Sequence, residues 1–161
     1  QTRDLKTRNL KLEVRNIDGG LLVQDVDIKT LKKADLDIVT DRKPSSGEVE
    51  TALFTWKVLK HAKSNGILIA KEKTTVGLGA GQVSRVDAVH MALKKGKDRV
   101  DGGVLASDAF FPFRDSIDAI GKSGIKLVIQ PGGSIKDNEV IDACNEYNIS
   151  MVFTKTRCFK H

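Results

Sequence analysis

Five short segments hold residue types that could bind or transform a small ligand. Lys63-Ser64-Asn65 supplies an Asn whose side-chain amide could orient a substrate or donate to a developing oxyanion. The plainer account is an Asn that terminates a helix in a left-handed turn. GLGAGQVSR, from Gly77 to Arg85, has glycines that permit close backbone approach and a helix start at Ser84 with N–H groups open to an anion. It matches G-x-G-x-x-G only loosely, and an ordinary strand-to-helix turn is the alternative. SDAFFPFRD, Ser107 to Asp115, gathers three of the six Phe in the chain with a Pro and an Arg. Such rings could sandwich a planar ligand or pack in the core. QPGGS, Gln130 to Ser134, places glycines ahead of a helix start, where an anion could rest on N–H groups. The chain closes on TKTRCFKH, with Arg157 suited to bidentate phosphate pairing and His161 able to titrate near neutrality. Terminal residues are otherwise commonly idle.

Positioning these groups falls to the elements between them. NLKLEVR (9–15) alternates apolar and polar residues as a half-buried strand does, and Gly19-Gly20 with LLVQD predicts a turn into a short strand or loop. Pro44 and Ser45 ahead of Glu48 have capping-box spacing. Val49, Ala52, Leu53, Trp56 and Leu59 then recur at helical intervals, with Asn65 as the expected stop. ILIAK (67–71) and TTVGLG (74–79) read as strands joined by a tight turn at Glu72-Lys73. Ser84 and Asp87 open a second helix with Val86, Val89, Ala92 and Leu93 on one face. A strand at 103–109, a helix near 114–123, a strand at 126–130, a helix near 136–147 and a strand at 150–154 complete a β-α-β-α-β run. The expected fold is α/β, with helices on both faces of a mixed, mostly parallel sheet. Ligands of such sheets bind beyond the strands' carboxyl ends, where these segments fall.

Composition narrows the function classes. With 40% hydrophobic and 30% charged residues in 161, a single globular domain over 1–161 is expected, without internal repeat or low-complexity linker. No apolar run approaches the ~20 residues of a spanning helix. Gln1 to Arg8 is polar, which argues against a signal peptide or anchor and for the cytoplasm. Cys144 and Cys158 form no CxxC and are expected to be reduced. The formal charge of +6 favours acidic partners such as phosphates or carboxylates. The basic residues are scattered, and with 5% aromatics nucleic acid is not the expected partner. The zinc-deaminase signature, the nucleophile elbow and the P-loop are absent, and His61 and His90 lack metal-ligand neighbours in the sequence.

KSNGILIAK, VGLGAGQVSRVDAV, SDAFFPFRD, IQPGGS and the final RCFKH occur in the order and spacing of one family, and GGLLVQD and ALFTWKVLKHAKSN are also similar to it. The chain resembles, over essentially its whole length, the C-terminal half of the AICAR transformylase domain of the bifunctional AICAR transformylase/IMP cyclohydrolases. That resemblance implies a three-layer α/β/α, cytidine-deaminase-like fold without zinc. It also implies formyl transfer from formyl-tetrahydrofolate to the amino group of AICAR in purine (IMP) biosynthesis. By the same resemblance Asn65 and His161 would be catalytic. Arg85 would support the site as a substrate-binding residue, Phe110 and Pro112 would form the folate and AICAR wall, Asp115 would lie near the pterin, and Arg157 would hold the nucleotide. The family's Lys-His pair belongs to the other half of that domain, and Lys60-His61 is a different dipeptide. A partial active site, inactive by itself, is therefore expected, with formyl-tetrahydrofolate as co-substrate, no metal, the other half as partner and a homodimer in the full enzyme. The alternative is a non-catalytic folate- or nucleotide-binding or assembly module that keeps the fold.

Overall fold

A computed structural model describes residues 12–160, so residues 9–11 of the expected first strand and His161 lie outside the described residues. β1 (Leu12–Ile17) and β2 (Gly20–Asp25) form an antiparallel hairpin around Asp18-Gly19, where Gly19 takes φ 76°. The Lys33–Asp35 turn of 3-10 helix leads to β3 (Asp37–Ile38), and α1 spans Ser46–Leu59. Ser45 and Glu48 form the expected capping box: Glu48 N donates to Ser45 Oγ at 3.3 Å and Ser45 N to Glu48 Oε2 at 2.7 Å. α1 ends at Leu59 and not at Asn65. His61 N bonds Val58 O and Ala62 N bonds Leu59 O, and these i→i−3 bonds tighten the chain out of the helix.

β4 (Ile67–Lys71) and β5 (Thr74–Gly79) form a hairpin whose turn residues Glu72 and Lys73 have φ of 48° and 60°, as a two-residue turn of matching twist demands. α2 (Arg85–Gly96), β6 (Val104–Ser107), α3 (Asp115–Ile120), β7 (Leu127–Gln130), α4 (Asp137–Glu146) and β8 (Ser150–Phe153) follow. Six strands make one sheet in the order β3-β8-β7-β6-β4-β5. The sheet is mixed as expected, and β5 to β8 share one direction. Because β4 stands between β5 and β6, however, only β6-β7 and β7-β8 are parallel pairings.

Strand alternation sorts the core into two layers. Ile67, Ile69, Leu105, Val128 and Met151 face α2, α3 and α4, while Leu68, Val104, Ala106, Ile129 and Val152 face α1 with Trp56 and Leu59. Burial on both faces is why the central strands read as continuous apolar runs.

This topology gathers the candidate segments. The carboxyl ends of β5, β6, β7 and β8 lie at one edge of the sheet. β4 runs the other way, so the residues that precede it reach the same edge, where Ile67 pairs with Gly79 on one side and Ser107 on the other.

Candidate active site

Asp108 is the first residue after β6 and is fully buried. Its Oδ1 accepts from Arg85 Nη1 at 2.6 Å, and its Oδ2 accepts from Ser64 Oγ at 2.6 Å and Gly66 N at 3.0 Å. Arg85 opens α2 behind the Ser84 cap, and its side chain is 7% exposed. The same guanidinium donates to Ser107 Oγ at 2.8 Å and, through Nη2, to Asn65 Oδ1 at 2.9 Å. A buried ion pair of this kind is costly to desolvate, and its hydrogen bonds on both partners offset that cost.

Arg85 fixes the orientation of Asn65. A guanidinium has no acceptor, so the amide must turn its oxygen toward it, leaving Nδ2 to face Gln82 O at 3.1 Å and Val83 O at 3.2 Å. Both amide hydrogens thus meet backbone carbonyls. Asn65 can donate to a ligand only after the 80–83 loop turns one carbonyl away. Arg85, expected among the substrate-binding residues, has both Nη atoms on protein partners, Nη1 on Ser107 and Asp108 and Nη2 on Asn65.

The C-terminal segment is tied to the same cluster. Cys158 N donates to Asp108 O at 3.1 Å, Ser64 N to Lys160 O at 3.0 Å and Lys160 N to Ser64 Oγ at 3.2 Å. This anchoring holds Arg157 with its guanidinium 4.9 Å from the Phe110 ring centre and 5.7 Å from that of Phe159, within cation–π range. Arg157 itself is exposed and Phe110 half-buried. Burial, together with the Asp108 and Asp27 carboxylates, pushes the Cys158 thiol above its ordinary range, which disfavours the thiolate. Burial raises Cys144 to about 12 in the same way.

The three clustered phenylalanines separate. Phe111 is fully buried in the layer under α2, α3 and α4, Phe113 is 56% exposed, and Phe110 lies between these extremes under Arg157. Pro112 is half-buried beside them. Asp115 stands on the exposed start of α3, where its Oδ1 accepts from Ser116 N at 2.6 Å. Arg114 bridges Asp118 and Glu146.

In two of the candidate segments the glycines make close contacts within the chain itself. A Cβ at Gly77 would sit 2.2 Å from Ala92 O, and one at Gly79 only 1.9 Å from Ala88 O. Those glycines let α2 approach β5, so the close approach is helix on strand. In QPGGS, Gly132 N donates to Gln130 Oε1 at 3.1 Å and Gly133 N to Asp137 Oδ2 at 2.7 Å. Those two N–H groups are engaged by the chain's own side chains.

Sequence reasoning did not single out Ser64 or Asp108. The available signals were a carboxylate directly after the apolar VLAS strand and a basic residue at the buried start of α2, which together require each other.

A family model described as AICARFT/IMPCHase bienzyme matches residues 1–95. The bifunctional purine biosynthesis protein PurH of Persephonella marina is 57% identical over 152 residues, covering 92% of this chain and 29% of that protein. PurH of Oceanobacillus iheyensis is 48% identical over 160 residues, covering 99% of this chain and 31% of that protein. The chain thus spans less than a third of the length of these curated relatives. A solved diaminohydroxyphosphoribosylaminopyrimidine deaminase/5-amino-6-(5-phosphoribosylamino)uracil reductase from Thermotoga maritima is 18% identical, covering 66% of this chain and 35% of that one. The TM-score between the two is 0.42. With the family model matched over more than half of its residues, the chain belongs to the AICARFT/IMPCHase bienzyme family.

Proposed function

We propose that this chain is the second subdomain of an AICAR transformylase, a cytidine-deaminase-like α/β/α unit. It carries part of the site that moves a formyl group from formyl-tetrahydrofolate to the amino group of AICAR in purine biosynthesis. The observation that carries this reading is the arrangement at one sheet edge: Asn65 oriented by Arg85, beside a C-terminal segment that lays Arg157 over Phe110.

The reaction joins a weak nucleophile to a carbonyl. The AICAR amine shares its lone pair with the imidazole and carboxamide, so its proton must leave as the nitrogen attacks. The formyl oxygen gains negative charge at that moment and needs a donor. Asn65 is the donor once the 80–83 loop releases its Nδ2. Arg157, exposed and charged, pairs with the nucleotide phosphate. Phe110 and Pro112 give a flat apolar wall for the heterocycles, and Asp115 lies near the pterin. His161, outside the described residues, takes or relays the proton beside the carboxamide. The main proton shuttle, a Lys-His pair, comes from the other half of the transformylase, so this chain alone is inactive. The full enzyme is a cytoplasmic homodimer that also closes the ring to IMP, with no metal in the transfer step.

One observation favours the second reading, a non-catalytic binding or assembly module: both Asn65 amide hydrogens are engaged. The test is formyl transfer by this chain mixed with the remaining segment of a family polypeptide. Turnover in the mixture supports the transferase. Its absence from a mixture in which the two pieces are folded and bound supports the module.

A further inference from the structure

Asp108 touches none of the surfaces assigned to substrate, yet the segment that carries Asn65, the start of α2 at Arg85 and the C-terminal segment that carries Arg157 are all bonded to it. Its Oδ1 holds Arg85, and Arg85 holds the oxygen side of the Asn65 amide. Its Oδ2 holds Ser64, whose Oγ accepts Lys160 N, and its backbone oxygen holds Cys158 N. Arg157 therefore lies in a segment pinned at 158 and 160, and it covers Phe110, two residues beyond Asp108 itself. Gly66 completes the set by donating its N–H to Oδ2 at the entry of β4. A carboxylate with no exposure that accepts from an arginine, a hydroxyl and an amide is fully satisfied; removing the hydroxyl or the amide leaves a buried acceptor short of a partner, and removing the arginine leaves the buried charge uncompensated.

We infer that Asp108 is a positioning residue for the transfer. Through Arg85 it orients the Asn65 amide, and through Ser64 and its own carbonyl it holds the C-terminal segment that carries Arg157. The inference rests on the proposed transferase reading. Two separable arms follow. The Arg85 arm acts on the reacting carbonyl and is read in kcat. The Ser64 arm acts on nucleotide binding and is read in KM for AICAR. A merely structural role would lower folding stability and leave these two quantities uncorrelated with the bonds.

The experiment uses the complementing mixture described above, with each variant's fold verified by its urea unfolding midpoint. Asn65→Ala is expected to lower kcat about 100-fold, as loss of one oxyanion donor does. Asp108→Asn keeps the side-chain shape but lets the Arg85 fork and the Asn65 amide reorient, and is expected to lower kcat at least ~10-fold. Because both act through one amide, the double variant is expected to fall no further than about the lower single. Losses that multiply overturn the Arg85 arm. Ser64→Ala retains the Arg85–Asp108 pair and serves where Asp108→Asn fails to fold. It is expected to raise KM for AICAR roughly 5- to 10-fold with kcat within about threefold, since one hydrogen-bonded tether of the segment is lost. An unchanged KM overturns the tail arm. An unsubstituted mixture without turnover removes the transferase reading and this inference together, whereas an active mixture with multiplying losses and unchanged KM removes the inference alone.

Discussion

At the scale of single residues, the chemistry was legible as residue type and only partly as partnership. Arg157 stood out in the sequence as a candidate for phosphate pairing, but its seat on Phe110 depends on bonds from Cys158 and Lys160 to residues some fifty and a hundred positions earlier. Asp108 was hidden for the same reason: burial and satisfaction of a carboxylate are long-range facts. Arg157→Ala should weaken AICAR binding in the complementing mixture by about 10- to 100-fold, the value of a charge-assisted contact. Titration with AICAR checks it, and unchanged affinity contradicts the phosphate role. Asn65→Ala should reduce turnover more than binding, which single-turnover and binding measurements separate. Cys144 and Cys158, both buried with raised pKa, should resist thiol reagents in the native chain and react when urea unfolds it. A thiol that reacts at once under native conditions contradicts the packing described.

At the scale of elements, local signals were reliable where the physics is local. The Ser45–Glu48 box, the Glu72-Lys73 turn and the start of α2 at Ser84 were all readable because cap and turn chemistry lies within a few residues. The end of α1 was not, since Asn65 belongs to the entry of β4 and the helix stops before it. The glycines of GLGAGQVSR were ambiguous because close approach to a helix and to a ligand demand the same absence of a Cβ. Gly79→Ala should therefore destabilise the chain by about 3 kcal/mol through the clash with Ala88 O, seen as a lower urea midpoint. Glu48 supplies the pH dependence. Burial disfavours its carboxylate, but hydrogen bonds from Arg42 and Ser45 outweigh that and hold its pKa below the ordinary 4.5. The folded pKa is the lower one, so the unfolded chain binds the extra proton on acidification. The contribution is present above the ordinary value and fades as pH falls through the folded one. Urea midpoints taken from neutral to acid pH should decline less steeply in Glu48→Gln than in the unsubstituted chain.

At the scale of the whole molecule, the β-α-β-α-β order and the two-sided sheet were readable from runs and periods. The insertion of β4 between β5 and β6 was not, because strand order is a matter of pairing between distant segments. That insertion is what carries Asn65 to the edge shared with Ser107, Asp108 and the C-terminal segment. The same edge bears exposed apolar side chains, Val83 at 98%, Phe113 at 56% and Ile135 at 100%, and one face of the β1-β2 hairpin exposes Leu12, Val14, Leu21 and Val23. The apolar face of the hairpin is suited to burial against further chain. The most direct measurement is formyl transfer from formyl-tetrahydrofolate to AICAR, by this chain alone and by this chain with the remaining segment of a family polypeptide added. Turnover confined to the mixture is the predicted result, whereas turnover by the chain alone, or none from two folded and bound pieces, would contradict a split site.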